Sequence, residues 1–113
     1  MSISSFRRGS LRLVIALALC ASGAAFGANF TVNTIGDNPD ALINGTCADA
    51  GGKCSLRAAI MEGNAAAGPN TISFTITDGG AIKVIAVGTG SLGAVGLPMI
   101  RVATTIDATT QTG

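Results

Sequence analysis

The chain contains no histidine, no tryptophan and no tyrosine, and only four phenylalanines in 113 residues. Without tryptophan and tyrosine it lacks a platform on which nucleobases stack. With only 12% charged residues it also lacks a basic patch, so nucleic-acid binding is excluded as a working class. Without histidine, the cysteines alone are too few to complete a tetrahedral zinc site. No constellation of acid, base and nucleophile stands out anywhere in the chain.

What is present is aliphatic and glycine-rich: 48% of residues are hydrophobic and sixteen are glycine. A core of Val, Ile, Leu and Ala suits thin, repetitive β architectures better than a compact globule. The glycines mark frequent tight turns. The length allows one domain at most.

The first 27 residues read as an export signal. Met1–Arg12 is a basic n-region, Leu13–Ala21 an apolar h-region, and Ala25-Phe26-Gly27 satisfies the small-residue cleavage rule, which places the cut between Gly27 and Ala28. A membrane anchor is the rival, but the apolar run falls short of the ~20 residues a span needs. Cys20 raises lipoprotein processing, against which Leu19 stands where a small residue is wanted. From Ala28 onward, Lys53, Arg57, Lys83 and Arg101 face Asp37, Asp40, Asp49, Glu62, Asp78 and Asp107 (four cations, six anions), a net charge of −2.

Residues 28–69 form the next unit. Phe30 and Val32 alternate with polar neighbours and predict a short strand. Gly36–Asp40 and Asn44-Gly45 predict turns. Export leaves Cys47 and Cys54, an even count that favours a disulfide in an oxidising compartment. Asp37, Asp40 and Asp49 offer oxygen ligands for calcium, but their spacing fits no loop signature, so they read as solvated acids. Asn29-Phe30-Thr31 and Asn44-Gly45-Thr46 are glycosylation sequons, meaningful only in a eukaryotic source.

A helix is predicted from Leu56 to about Ala66. Leu56, Ala59, Ile60 and Gly63 fall on one stripe that forms its core face. Ser55 stands as N-cap, and Gly68 with Pro69 stops the helix. Arg57 points away from the stripe and reads as part of a solvated or salt-bridged face. The run Cys54-Ser55-Leu56-Arg57, with Ala59-Ile60, Glu62 and Asn64, resembles the CSLREA-type N-terminal module of secreted bacterial proteins. Phe30-Thr31-Val32-Asn33 and the cysteine pair before it extend the likeness. So do Asn70–Phe74 after it, and Thr105-Ile106-Asp107 with Thr109-Thr110-Gln111. Ala58 departs from the family's glutamate, which removes half a capping box. Gly63 stands for a usual alanine and Ala108 for a usual glycine. The resemblance implies a cap preceding a right-handed parallel β-helix, and it carries over no catalytic residue.

Residues 70–113 read as the first, incomplete rungs of that mainly β solenoid. Strands are predicted over Thr71–Ile76, Ala81–Val87, Met99–Val102 and Thr104–Ile106, joined by glycine turns. Two rungs without a closing cap suggest the front of a longer protein. Gly88-Thr89-Gly90-Ser91-Leu92-Gly93 matches a dinucleotide fingerprint after a strand, with Asp107 about twenty residues on. The helix such a site needs from Ser91 would meet Gly96 and Pro98 within two turns.

The expectation is therefore an exported, secreted or cell-surface structural or adhesion-type protein without catalysis or cofactor in this chain. Its partner would be an extracellular protein or glycan, and the membrane would be met only during export. The alternative is the front of a β-helix polysaccharide lyase or hydrolase with its site elsewhere. A dinucleotide-binding domain is the remote third.

Overall fold

A computed structural model describes residues 27–113. The predicted signal, apart from Gly27, lies outside the described residues. No helix among the described residues is long and apolar enough to cross a membrane.

Strand β1 (Asn29–Val32), helix α1 (Leu56–Ala65), β2 (Asn70–Phe74) and β3 (Thr104–Ile106) follow in order, and a 3-10 turn closes the series at Ala108–Thr110. The strands form one parallel sheet, β1-β2-β3. Parallel neighbours need long crossovers. Residues 33–69, carrying α1, make the first; residues 75–103, without helix or strand, make the second.

The register aligns like with like. Phe30 pairs with Ile72 and Val32 with Phe74, and Ile72 pairs onward with Ile106. Because side chains alternate faces, these residues stack in columns on one side of the sheet. Thr31 and Ser73 meet on the other side, their hydroxyls 3.1 Å apart. Phe30, Val32, Ile72, Phe74 and Ile76 bury themselves with Ala59 and Ile60 of α1 and with Cys54, and Leu56 packs at the margin of this core. Ile106, on the last strand, is half exposed.

Beyond Ile72 the third strand's place is taken by side chains. Phe74 N–H donates to Thr110 Oγ1 (2.8 Å) and Ile76 N–H to Gln111 Oε1 (2.7 Å), while Gln111 Nε2 donates to the Ile76 carbonyl (3.1 Å). Backbone groups that a strand would pair are satisfied by the residues that follow β3.

Two expected strands are absent. Ala81–Val87 and Met99–Val102 are irregular, with Ile82, Val84 and Met99 largely exposed. β-Branched composition fits a pleated, half-buried surface rather than creating one, and among the described residues no neighbouring strand offers Ala81–Val87 a ladder. At the second site the Asn64 amide acts as a one-residue neighbour. It donates to the Met99 carbonyl (2.8 Å) and accepts from Arg101 N–H (2.7 Å). The structure thus has a small parallel sheet and one short helix, less strand than the sequence predicts.

Candidate functional site

The densest polar constellation surrounds α1. Ser55 adopts extended backbone angles and its Oγ accepts Ala58 N–H (3.0 Å), which supplies one of the partners the first helical turn lacks. The same hydroxyl donates to the Asn38 carbonyl. A single residue therefore caps the helix and fixes the turn that precedes it.

Arg57 is buried, at 2% exposure, and not a solvated side chain. Its Nη2 lies 2.8 Å from Asp37 Oδ2 and its Nε 3.2 Å from Oδ1, a two-pronged ion pair closed off from water. The guanidinium also donates to the carbonyls of Val95 (2.6 Å) and Gly96 (2.8 Å). Burial pushes the Asp37 carboxyl up, but the Arg57 bonds and charge and the Gly88 N–H outweigh this and hold it below its ordinary value. Helix, first crossover and second crossover meet at this pair.

The remaining polar residues of α1 each hold a different segment. Glu62, 1% exposed, accepts Asn44 N–H (2.9 Å) and Gly45 N–H (2.8 Å), one on each oxygen. Asn64 holds the Met99–Arg101 stretch. Arg57 and Glu62 lie off the apolar stripe, yet both are buried because the crossovers wrap the helix on that side.

The three loop acids are buried rather than solvated. Asp40 accepts Leu42 N–H (3.1 Å) and Ala48 N–H (2.8 Å); Asp49 accepts Gly51 N–H (2.8 Å) and Lys53 N–H (2.9 Å). These are the local turns that aspartate favours. Among the described residues no group of three or more His, Cys, Asp or Glu side chains is gathered to hold a metal ion. Cys47 and Cys54 are disulfide-bonded, with Cα atoms 5.1 Å apart.

The glycine-rich run has a different use from the one its spacing suggests. No helix starts at Ser91, and residues 88–93 form turns. Gly88 N–H donates to Asp37 Oδ2 (2.6 Å) and Ser91 N–H to Asn38 Oδ1 (2.9 Å). A Cβ at Gly90 would overlap the Asp37 carbonyl. The amides that would cradle a phosphate hold the chain's own Asp37 and Asn38 instead, and Gly90 is needed for the close approach.

Among the described residues a cleft of about 280 Å³ lies beside β1 and the Cys47–Cys54 bridge, and there are two others. One of about 410 Å³ lies at the exposed end of the core, with Phe74, Ile76, Ile82, Ile85 and Gln111 on its walls. The other, about 230 Å³, lies between β1, the Ile43–Gly45 turn and the end of α1. Every buried side-chain polar atom among the described residues has a partner. The acids and amides around α1 hold backbone segments, and Asp37 holds the Arg57 side chain as well.

Sequence reasoning singled out Cys47, Cys54, Ser55, Leu56, Ala59 and Ile60, and the structure brings all six into or beside the core. It missed Asp37 as the partner of Arg57, and Asn70 altogether. Asn70 is 1% exposed, accepts Ala28 N–H (2.9 Å) and donates to the Gly63 carbonyl (2.7 Å). An asparagine opening a strand carries no periodic signal; the hint lay in its place after Gly68-Pro69, where the chain turns back beneath the helix. No family model matches the chain, and neither the curated proteins nor the solved structures yield a match.

Proposed function

We propose that this chain is the front cap of an exported parallel β-stack, a structural or adhesion-type protein whose later surface engages an extracellular protein or glycan. The observation that carries the reading is the register. Three successive passes lie parallel, their inward residues in line, and α1 packs against the first pass. Stacked repeats need such a cover at one end, because a bare parallel edge invites pairing. The leader-like Met1–Gly27 segment and the Cys47–Cys54 bridge support an oxidising destination.

The commitment of Arg57, Glu62, Asp37, Asp40 and Asp49 to internal bonds favours a structural role over the polysaccharide lyase or hydrolase alternative. A reporter that matures only in an oxidising compartment, fused behind Gly113 in a bacterial host, tests the export half. Reporter activity that disappears on deletion of residues 1–27 is the expected result, and activity unaffected by that deletion overturns it. Incubation of the exported product with acidic and neutral polysaccharides should release no reducing ends; release would favour the enzymatic alternative.

A further inference from the structure

We propose that the cap contains a receptor for its own N-terminal ammonium: Asn70, Glu62 and the C-terminal end of α1 form a site that removal of the leader at Gly27–Ala28 fills. The proposal rests on the export reading above. Its geometric basis lies wholly in Gly27, Ala28 and the residues around them.

Residue 28 is clamped from both sides by β2. Its N–H donates to Asn70 Oδ1 at 2.9 Å and its carbonyl accepts Thr71 N–H at 2.9 Å. The Asn70 amide has no freedom to turn, because its Nδ2 is occupied by the Gly63 carbonyl at 2.7 Å, which leaves Oδ1 facing Ala28. Immediately before it, a Cβ at Gly27 would overlap the Pro69 carbonyl oxygen, so a side chain there cannot be accommodated. Pro69–Thr71 therefore occupies the surroundings of the 27–28 bond on both sides. A leader peptidase, which must take an extended segment into its own cleft, has to cut before this turn docks.

The cut changes the chemistry of one nitrogen. Water adds its OH to the Gly27 carbonyl carbon and its remaining hydrogen to Ala28 N as the peptide C–N bond breaks. At neutral pH the products are a carboxylate on the departing leader and an ammonium on Ala28. Where the amide had one donor, the ammonium has three. One retains Asn70 Oδ1. The 230 Å³ cleft beside it has Ala28 on its wall together with Asn44, Gly45, Glu62, Ala65 and Ala66.

Phe30 and Ile43 make part of that wall apolar, and two of its other features suit a cation. Among the described residues Glu62 is the only ionisable one lining it, and each of its oxygens, already accepting one backbone N–H, has a lone pair left. Ala65 and Ala66 end α1, so the negative pole of the helix dipole opens onto the same space. The β2 residues bonded to Ala28, Asn70 and Thr71, are neutral, and among the described residues no cationic side chain lines the cleft.

The full chain, secreted from a bacterial host, is purified and its N-terminus read by mass spectrometry; the α-amine is then acylated at pH 7 in native protein and in urea. An amine held as ammonium reacts about tenfold more slowly for each unit its pKa rises, so native labelling at least tenfold slower than denatured labelling is expected. Equal rates would overturn the site. Glu62→Gln, where it folds, should bring the native rate toward the denatured one; the wild-type comparison stands without it. Should the host cut elsewhere, the export reading fails at that bond. A chain released at Ala28 from a fusion by a site-specific protease then decides the site alone: slow native labelling sustains it and equal rates sink it.

Discussion

The two crossovers of this sheet are opposites. The first, residues 33–69, is rich in polar and charged residues, yet it folds onto the sheet with Asp37, Asp40, Asp49, Arg57 and Glu62 all buried. The second, 75–103, is rich in valine and isoleucine, yet it leaves Ile82, Val84, Val87, Leu92, Val95 and Met99 exposed. Hydrophobicity alone would have exchanged their places. Side chains that reach specific backbone groups decide which crossover is ordered inward: carboxylates close turns in the first, and Arg57 and Asn64 hold the second by its carbonyls and amides. Buried polar groups are tolerated here because each is satisfied.

Breaking the Arg57–Asp37 pair should have the largest effect. Arg57→Leu leaves a carboxylate buried without its cation, a loss of about 3–5 kcal/mol readable by urea denaturation. Both crossovers should loosen together, because the same guanidinium holds Val95 and Gly96. Acid probes the same pair with a fixed sign. The folded Asp37 carboxyl titrates below its unfolded value, so its contribution is complete above the unfolded carboxylate range and is lost as pH falls through the folded value. Wild-type melting temperature should therefore fall below about pH 4. In Arg57→Leu that fall should shrink, since protonation then relieves an unpaired charge. Asp78, which the Thr34 hydroxyl chiefly and the Ile35 N–H hold below its ordinary value, acts in the same direction from an exposed position.

Replacing both Cys47 and Cys54 by alanine should cost about 2–3 kcal/mol on the chain-entropy estimate. The loss should be confined to the first crossover, so hydrogen exchange should quicken over residues 37–54 before it does in β2. Gly63→Ala should move the balance the other way. A Cβ there meets Asn70 Nδ2 at 3.6 Å and Phe30 Cε2 at 4.0 Å, ordinary contacts, so the gain in helix propensity of about 0.5–1 kcal/mol survives. The smallest effect belongs to the second crossover. Val84→Thr, at a largely exposed position, should stay within about 0.5 kcal/mol; a larger loss would mean that the exposed aliphatics are covered in solution.

The parts of the fold legible in the sequence were those with a local signal. The period-2 runs at Phe30 and Ile72 became β1 and β2, and the 3.6-period stripe from Leu56 became α1, one residue shorter than expected. Ser55 is readable as a cap because its hydroxyl acts on residues three away. Arg57 was read as a solvated or salt-bridged side chain; the ion pair is there, but its burial and its partner were hidden because sequence neighbours say nothing about a carboxylate twenty residues earlier. The Ala81–Val87 run misled for the converse reason: its composition is that of a strand, but a strand exists only with a neighbour. At Gly88–Gly93 the pattern was real and its use was hidden, since the partner that fills the turn is Asp37.

The register also governs how this sheet is assembled in time. β1 meets β2 across 42 residues, and β2 meets β3 across 34 (72 to 106). Among the described residues no strand pairs with anything nearby in the chain, which is the topology of slow folders. Bridging Cys47 and Cys54 first would bypass only residues 48–53, and loop entropy varies so weakly with length that closing β1 onto β2 would gain about 0.1 kcal/mol. The bridge therefore does little to hasten the sheet. The edge of β1 therefore stays open until the whole first crossover has been delivered and β2 can reach it.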